Sequence, residues 1–482
     1  MGYKNIIGRI EEIKALEKFY KSSKSEFVAI YGRRRVGKSY LIEEVFKEKI
    51  TFRAIGSYIK SNDGLTYKQT QLDHFYESLL DYGMSETMPR PQNWREAFRL
   101  LKKYLEGITS KRRVIFLDEL PWLAGSQSTE MITELGYFWN SWADRQRNVV
   151  LVVCGSATSW MLDNVIRDYG GLHGRLTGTI SLQPFTLSEC EMYFKKHGFH
   201  FSRYEIAVAY MAFGGIPYYL EKMDNEKNLS ECIDNFFFKD KRIGQEFKDV
   251  YTGLYATSER YVDVVKALGG KFYGMTRYEL SESLGISSGG TFTKILDNLI
   301  ASGIIREYPR YGKQRMETVY QLKDFFSLFY LHFINGKGTD SGNWRSIQRS
   351  PKFYTWAGNT FELVCIEHLS QIKEKLRIAS ISRNYCWKGV APNGSIPQID
   401  LVLEWKGERT DYICEIKFSE HEFTIDKQYE KELGNKIEAF LHSKQHTKTH
   451  SIQLVMITTN GISNNNHSKD VNQQVVLDDL FN

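Results

Sequence analysis

The sequence predicts an α/β protein whose first part is built on a parallel sheet. Three short, uninterrupted apolar runs, residues 27–31, 114–117 and 149–153, are typical of strands that a sheet buries on both faces. Between them lie stretches with the three- to four-residue apolar spacing of amphipathic helices, such as residues 11–20 and 94–105. Strands that alternate with helices in this way favour a parallel sheet covered by helices.

Length, composition and charge exclude several classes of protein. The chain has 482 residues, which suggests about three domains. Hydrophobic residues make up 42% and charged residues 25%, so a disordered chain or a coiled-coil array is excluded. The longest apolar run, residues 206–213, is far shorter than the ~20 residues that span a bilayer, and no signal peptide opens the chain. We therefore expect a cytoplasmic protein with no membrane partner.

Charge and cysteine content add two expectations. The net charge of +6 permits contact with nucleic acid without requiring it. The six cysteines form no Cys-x-x-Cys pair, and several lie inside apolar runs. Buried, reduced thiols are therefore expected rather than a zinc site.

A phosphate-binding loop follows the first apolar run. Residues 32–39 match the pattern Gly-x-x-x-x-Gly-Lys-Ser, between a predicted strand and a predicted helix. The glycines let backbone N–H groups approach phosphate oxygens, Lys38 neutralises the β- and γ-phosphates, and the Ser39 hydroxyl binds Mg²⁺. The loop residues predicted to hold ATP are Gly32, Arg33, Arg34, Arg35, Val36, Gly37, Lys38, Ser39 and Tyr40. For the three arginines, contact with the nucleotide and simple surface exposure are both open.

Polar residues at the ends of the next two runs predict hydrolysis as well as binding. Asp118 would hold Mg²⁺ through water, and Glu119 would orient and deprotonate the attacking water. Ser156 follows the third run and would lie near the γ-phosphate as a sensor. Arg175 is a candidate arginine finger, in cis or across a subunit interface, and its alternative is an ion pair with a surface carboxylate.

The segment from residue 7 to about residue 220 resembles the archaeal-type AAA family of ATPases within the STAND and AAA+ assemblage. The resemblance rests on Gly8-Arg9 with Glu11, residues 31–39, residues 117–119, residues 155–156, residues 174–175 before 182–185, and residues 214–217. It implies an ATP-hydrolysing switch with a helical lid, and it adds Gly8, Arg9 and Pro217 to the nucleotide-binding residues. A second sensor arginine is not visible in the lid, which favours a contact through Pro217.

Residues 276–322 have the order of a winged helix-turn-helix. A helix begins after Thr276 with Glu279 in capping-box position, and Gly285 is suited to end it. A second helix at 291–302 and a hairpin formed by residues 304–308 and 319–322 follow. The basic residues of this wing are Arg306, Arg310, Lys313 and Arg315. DNA contact and a purely structural role are both open.

An acidic pattern marks the C-terminal region. Asp400 borders one predicted strand, and Glu415 and Lys417 share one face of the next. The two carboxylates can hold Mg²⁺, and Lys417 can position a water or steady a phosphate. Residues 356–441 thus resemble the PD-(D/E)XK nuclease superfamily, although the proline that usually precedes the aspartate is absent. The resemblance implies Glu362 as a third metal ligand, Mg²⁺ or Mn²⁺ as the metal, and Glu415 with Lys417 as catalytic residues.

Three histidines, His442, His446 and His450, recur every four residues. On a helix they would form a metal-binding stripe. Thr447, Thr449 and the strand that follows indicate instead that a helix ends there and a loop begins. We therefore predict no metal site from this spacing.

The predicted domains are an ATPase core at 1–185, a helical lid at 186–250, a winged helix-turn-helix at 251–330, a linker at 331–351 and a nuclease-like α/β domain at 352–482. The predicted function is an ATPase whose nucleotide state regulates nucleic-acid binding or processing, with a homo-oligomer or a protein as a further partner. The alternative is an ATP-driven signalling or scaffold switch whose C-terminal domain is an inactive interaction module.

Overall fold

The computed structural model describes residues 3, 5–59, 64–109, 111–125, 129–167, 172, 174–252, 258–312, 317–335, 343–379, 381–391, 394–443 and 446–482. The chain divides into two compact units. The first unit comprises Met1–Pro184 with Asp249–Ser258, and the second comprises Phe185–Lys248 with Glu259–Asn482. The domain limits given above stay predictions.

The first unit is an α/β domain with a parallel sheet. Its strands are β1 (Glu26–Tyr31), β2 (Ile50–Ile55), β3 (Arg113–Asp118), β4 (Val149–Gly155) and β5 (Gly178–Ser181). Its helices are α1 (Ile10–Lys21), α2 (Lys38–Phe46), α3 (Gly64–Asp81), α4 (Trp94–Glu106), α5 (Leu120–Ala124), α6 (Glu130–Phe138) and α7 (Thr158–Met161). The strands are all parallel, in the order β2-β3-β4-β1-β5. The predicted fold class is confirmed.

The three predicted apolar runs form the middle of this sheet. Strands β1, β3 and β4 are buried along almost their whole length, as expected for strands covered on both faces. In the register of β1 and β4, Tyr31 pairs with Gly155, so both strands end at the same edge. Because β3 runs parallel beside β4, the residues that follow all three strands meet at that edge.

The second unit begins with helices and contains two further sheets. Its helices up to the first of these sheets are α8 (Leu187–Lys196), α9 (Arg203–Phe213), α10 (Pro217–Leu220), α11 (Leu229–Ile233), α12 (Ile243–Thr252) and α13 (Ser258–Gly269). Helix α12 reaches beyond Lys248, and α13 begins at Ser258, the residue before the second unit resumes. The apolar run at 206–213 lies in α9 and is entirely buried, so it is a core helix.

A three-stranded sheet follows, in the order β6-β8-β7. Its strands β6 (Met275–Thr276), β7 (Ile305–Tyr308) and β8 (Val319–Leu322) accompany helices α14 (Arg277–Leu284) and α15 (Gly290–Ala301). The predicted capping box of Thr276 and Glu279 is confirmed, and Gly285 ends α14 with a left-handed φ of 61°. The two helices and the hairpin therefore occur where the sequence predicts them.

The last part contains a mixed five-stranded sheet in the order β13-β12-β11-β10-β9. The helices before it are α16 (Phe325–Phe329), α17 (Trp344–Ile347), α18 (Pro351–Glu367) and α19 (Leu369–Lys375). The strands are β9 (Arg383–Lys388), β10 (Gln398–Trp405), β11 (Thr410–Lys417), β12 (Ser451–Thr458) and β13 (Gln473–Val476), with α20 (Lys427–His442) after β11. Strands β9, β10 and β11 are antiparallel, whereas β11, β12 and β13 are parallel.

The stretch predicted as a linker contains packed residues among those that the structure describes. Trp344 in α17 is 1% exposed and contacts the rings of Phe333 and Trp356. Burial of so large a ring holds α17 against its neighbours. Within the described part of the chain, no helix is both long and apolar enough to cross a membrane.

Candidate nucleotide site and a second acidic site

The first and last glycines of the phosphate loop, Gly32 and Gly37, are needed for different structural reasons. Gly32 has a φ of 146°, and a Cβ there would lie 2.2 Å from the carbonyl oxygen of Leu182. Gly37 also has a positive φ, 89°, but a Cβ there would meet nothing within 4 Å. Gly32 thus permits a close backbone contact, whereas Gly37 supplies only the left-handed conformation that leads into α2.

Lys38, the first residue of α2, points back into the loop. Its side chain is buried, and Nζ donates hydrogen bonds to the carbonyl oxygens of Gly32 at 3.1 Å and Arg33 at 3.0 Å. Burial lowers the pKa of Lys38, although the nearby Glu119 and other acidic groups oppose this effect. The ammonium group is held where a β/γ-phosphate could replace the two carbonyl oxygens as its acceptors.

Asp118 ends β3 and is surrounded by hydrogen-bond donors. Its Oδ1 accepts from the Ser39 hydroxyl at 2.9 Å, the Glu119 backbone N–H at 3.0 Å and the Cys154 thiol at 2.8 Å. Its Oδ2 accepts from Arg53 Nη2 at 2.9 Å. These contacts satisfy a carboxylate that is only 3% exposed. The structure therefore brings Ser39 and Asp118 together, as a shared Mg²⁺ site requires.

Two of these neighbours were missed in the sequence. Arg53 lies in β2 and also pairs with Glu43 on α2; its signal was a charge inside an otherwise uncharged strand. The sequence predicts Cys154 as a buried, reduced thiol without a role at this site, and it is buried and free. Burial, followed by the charge of Asp118, raises the pKa of Cys154, so the group acts as a neutral donor.

Glu119 has a left-handed backbone, with a φ of 47°, immediately before α5. Its Oε2 accepts hydrogen bonds from the backbone N–H of Ser156 at 3.1 Å and from the Ser156 hydroxyl at 2.9 Å. The predicted base and the predicted sensor are thus in direct contact across the ends of β3 and β4. This contact fixes one oxygen of the carboxylate and orients the other.

We expect Ser156→Ala to lower kcat for ATP hydrolysis about 10- to 100-fold with little change in KM, because the base loses a hydroxyl that orients it. Steady-state ATPase assays would measure this. Ser181→Ala is a matched control, since Ser181 is exposed at the end of β5, an edge strand that pairs with β1 and not with β4. A change confined to KM would contradict a role in positioning Glu119.

Two of the arginines in and near the loop, Arg9 and Arg33, are buried and donate hydrogen bonds to carbonyl oxygens of the loop. Arg9, next to the left-handed Gly8, is 5% exposed and donates to the carbonyl oxygen of Val36 at 3.3 Å. Arg33 is 3% exposed and donates to the carbonyl oxygen of Arg34, so simple surface exposure is wrong for Arg33. These contacts brace the loop from inside the protein.

The other predicted nucleotide contacts lie further out. Arg34 donates to the carbonyl oxygen of Asp249 at 2.9 Å, and Arg35 has a left-handed φ of 74°. Tyr40 is exposed, and its hydroxyl donates to the carbonyl oxygen of Asn5 at 3.2 Å. The roles of these three residues toward ATP stay predictions.

Arg175 and Pro217 also keep the status of predictions. Arg175 is exposed in the turn before β5 and makes no ion pair within the part of the chain that the structure describes. The neighbouring Gly171 and His173 lie outside the described residues. Pro217 begins α10 in the second unit.

A parallel sheet with a phosphate loop after β1 and an acidic pair at the end of β3 defines a P-loop nucleoside triphosphatase. Residues 7–223 match the model of a family described as an ATPase domain predominantly from Archaea. This part of the chain is therefore similar to that family of ATPase domains, in agreement with the resemblance found in the sequence.

Two curated relatives and one solved structure cover very different shares of this chain. The uncharacterized protein MJECL04 of Methanocaldococcus jannaschii is 26% identical over 431 residues, covering 86% of this chain and 88% of that protein. The uncharacterized ATP-binding protein MJ0423 of the same organism is 40% identical over 48 residues, 10% of this chain and 81% of that protein. The solved Walker-type ATPase paby2304 of Pyrococcus abyssi has a TM-score of 0.51 at 20% identity, covering 68% of this chain and 96% of that one. The last comparison supports the fold.

The second unit contains the other predicted site. Glu415 on β11 is 1% exposed, and its two oxygens have three partners. Lys417 Nζ lies at 3.0 Å, Lys436 Nζ at 2.7 Å, and the Tyr429 hydroxyl donates at 2.6 Å. The sequence analysis missed Tyr429 and Lys436. Their signal was a seven-residue spacing, which places both on one face of α20.

The pKa values of the three predicted metal ligands of this site are shifted in different directions. Burial and then the charge of Glu415 raise the pKa of Asp400 to about 6. Burial and then the charge of Asp400 raise the pKa of Glu362 well above its usual range. Burial also acts to raise the pKa of Glu415, but Lys417 and Lys436 lower it overall. A cation bound beside Glu362 and Asp400 would relieve their repulsion.

A cavity of about 160 Å³ adjoins Glu362 and Asp400, and Tyr273, Arg310 and Lys388 also line it. This volume is below the ~300 Å³ at which small-molecule sites begin, so it fits ions, water or one phosphate group rather than a whole nucleotide. The ligand atoms of Glu362, Asp400 and Glu415 do not all lie within 4.8 Å of one another. The set stays a prediction as a metal site.

The predicted basic wing is only partly available to a ligand. The Arg306 guanidinium donates to Gln321 Oε1 at 2.9 and 2.7 Å and lies 3.6 Å from Glu367, with its side chain 11% exposed. Arg306 is therefore no phosphate contact, because it faces the interior. The backbone of Arg310 forms an isolated β-bridge with that of Cys386 in β9, and Arg310 also lines the acidic cavity. Lys313 and Arg315 lie outside the described residues.

Proposed function

We propose that the protein is an ATP-hydrolysing switch whose nucleotide state regulates nucleic-acid binding or metal-dependent cleavage by its second unit. The observation that carries the hydrolytic part is the contact of Glu119 with Ser156, beside Asp118 and the phosphate loop. The nucleic-acid part is supported by the combination of Glu415, Lys417 and the acidic cavity that Arg310 lines.

Each residue of the ATP site has a definite task in this proposal. Lys38 would leave its loop carbonyls for the β/γ-phosphates, and Ser39 and Asp118 would hold Mg²⁺, which supplies positive charge at the phosphates. Glu119 would accept a proton from the attacking water, with Ser156 keeping its carboxylate in place. Arg175 is exposed, as a finger that acts on a second copy of the chain would need to be.

The second unit supports phosphodiester chemistry by its arrangement of charges. The order of α18, β9, β10, β11, α20 and β12 is consistent with the PD-(D/E)XK resemblance. Glu415 and Asp400 would hold Mg²⁺ or Mn²⁺ with Glu362, and Lys417 would position a water or steady the phosphate. The small cavity suits a single phosphate of a strand that lies across the surface.

A second candidate function is an ATP-driven signalling or scaffold switch with an inactive nuclease-like module. Two ion pairs to Glu415 favour it, because Lys417 and Lys436 already neutralise this carboxylate without a metal. The burial of Arg306 also favours this second candidate, because it leaves one cation fewer on the wing for contact with DNA.

A cleavage assay separates the two candidates. Full-length protein would receive single- and double-stranded DNA and RNA with Mg²⁺ or Mn²⁺, with and without ATP, beside Lys417→Ala. We expect cleavage that falls at least about 100-fold in the variant, with ATP hydrolysis unchanged. Lys431→Ala is a matched control, since Lys431 is exposed on α20. If the wild-type protein hydrolyses ATP and cleaves nothing, the switch function is favoured; cleavage that survives in Lys417→Ala contradicts the proposed site.

A further inference from the structure

A second cluster of ionisable side chains lies at the other end of β10 and β11. Glu404 and Asp411 face each other directly as a cross-strand pair. Asp400 and Glu404 are four residues apart on β10, which corresponds to about 13 Å along a strand. The buried pair Val402 and Ile413 lies between the two acidic ends. This cluster is therefore separate from the acidic site described above.

The pair of carboxylates is costly without a cation. Asp411 is fully buried and Glu404 is 8% exposed. Like charges directly opposite each other on neighbouring strands destabilise a sheet, and burial increases the repulsion. Lys406 lies 4.0 Å from Glu404, and two tyrosine hydroxyls donate hydrogen bonds, from Tyr385 to Glu404 at 3.4 Å and from Tyr311 to Asp411 at 2.9 Å.

Two histidines complete the cluster. His450 Nδ1 lies 3.2 Å from Asp411 Oδ1, and His446 Nε2 lies 3.6 Å from Asp411 Oδ2. Among the described residues, Nε2 of His446 is buried and has no hydrogen-bond partner. A buried imidazole nitrogen aimed at a carboxylate without a hydrogen bond is an observation that a shared metal ion would explain.

The chain brings these histidines together by a turn, as the sequence predicts for this stretch. Helix α20 ends at His442, whose Nδ1 lies 2.9 Å from the carbonyl oxygen of Glu438 at the exposed helix end. His446 and His450 follow in the loop, and β12 begins directly after His450. The four-residue spacing is therefore not a helical stripe, and His442 is not part of the cluster.

We propose that Glu404, Asp411, His446 and His450 bind a structural Zn²⁺ ion. Two imidazoles and two carboxylates form a set of ligands that suits Zn²⁺ in a closed tetrahedral site. With ligand bonds of about 2.0 Å, the edge of such a tetrahedron is about 3.3 Å, close to the 3.2 Å between His450 Nδ1 and Asp411 Oδ1. Ligand atoms of Glu404, Asp411 and His450 already lie within 4.8 Å of one another.

The ion would attach the loop after α20 to the hairpin of β10 and β11. The hydrogen bonds from Tyr311 and Tyr385 would orient the two carboxylates, as is usual for metal-binding side chains. This site goes beyond the proposed enzymatic function and does not depend on it.

Zinc binding to the full-length protein tests the inference. After treatment with a chelator, the protein would be titrated with ZnSO₄ by calorimetry, and its metal content would be measured by mass spectrometry. We expect about one Zn²⁺ per chain and a higher Tm with the ion, and affinity at least about 100-fold weaker in the double variant His446→Ala/His450→Ala. His442→Ala is the matched control and should bind as the wild-type protein does.

Two outcomes would overturn the proposal: wild-type protein that takes up no Zn²⁺, or a double variant that binds it as tightly as the wild type. Circular dichroism of the metal-free proteins would show whether the double variant folds. Should it fail to fold, Glu404→Gln would replace it, since the amide keeps the size of the side chain. Unchanged zinc affinity in Glu404→Gln would likewise count against the site.

Discussion

Glu119→Gln should lower kcat for ATP hydrolysis about 10²- to 10⁴-fold while ATP binding stays close to that of the wild-type protein. The amide cannot accept a proton from the attacking water, but its oxygen can still accept the two hydrogen bonds from Ser156. The backbone at this position is left-handed in a non-glycine residue, and the substitution leaves that unchanged. Single-turnover hydrolysis and calorimetric titration with ATP and Mg²⁺ would separate the chemical step from binding.

Glu11→Gln makes the same chemical change at a surface position. Glu11 is exposed on α1, and among the described residues its ion pair is with Lys14, one helical turn away. This control should hydrolyse ATP at the wild-type rate, since an exposed ion pair contributes little. A Glu119→Gln protein that hydrolyses ATP normally would mean that another group activates the water, and one that no longer binds ATP would mean that Glu119 supports the loop instead.

We expect Ser156→Ala to lower kcat less than Glu119→Gln does, because Ser156 only positions the carboxylate that accepts the proton. Removing the hydroxyl leaves the hydrogen bond from the Ser156 backbone N–H at 3.1 Å in place. The Ser156 hydroxyl acts on catalysis through the Glu119 carboxylate, so its loss should lower kcat little further once that carboxylate has been replaced. The double variant should therefore resemble Glu119→Gln alone.

The sequence predicts that Lys38, Asp118 and Ser156 lie at one edge of the sheet, because parallel strands bring their ends together. Lys38, Asp118 and Ser156 are far apart in the chain, yet each follows a strand whose apolar run is visible in the sequence. Their convergence needs only the strand order, which places β4 between β1 and β3. The local sequence pattern and the sheet topology agree there, so the apolar runs and a parallel sheet were enough to predict which residues converge.

The sequence predicts much less about side chains that reach a site from the middle of a strand or hairpin. Arg53 contacts Asp118 only because β2 lies beside β3, and the chain separates the two residues by 65 positions. For Arg306 the sequence leaves DNA contact and a structural role open, and the side chain faces Glu367 inside the unit. In both cases the direction of a side chain depends on a partner that periodicity cannot identify.

His446 and His450 show the same limit at a turn. Their spacing suggested a helix, and the threonines between and beside them correctly indicated a loop. The carboxylate of Asp411 lies on β11, 35 residues before His446, and the parallel pairing of β11 with β12 brings the two segments together. A cluster that forms through strand pairing leaves no mark in local spacing.

The second large effect should come from the phosphate loop itself. Gly32→Ala places a Cβ 2.2 Å from the carbonyl oxygen of Leu182, and it imposes a φ of 146° on a residue with a side chain. The backbone atom cannot rotate away as a side chain could. We expect a loss of at least about 3 kcal/mol in local stability around β1 and β5, together with loss of ATP binding.

Hydrogen exchange without nucleotide would measure this effect, because it reports each segment separately and does not require the whole chain to unfold in one step. Exchange should be about 100-fold faster in peptides that contain residues 26–32 and 178–182. Gly37→Ala is the matched control, since φ is also positive there but a Cβ would meet nothing within 4 Å. The control carries backbone strain of about 1–3 kcal/mol without the contact with Leu182, so exchange should be slower in it than in Gly32→Ala. Equal exchange in both variants would show that the segment before Phe185 moves aside, so that the close approach of Leu182 is not what fixes the loop.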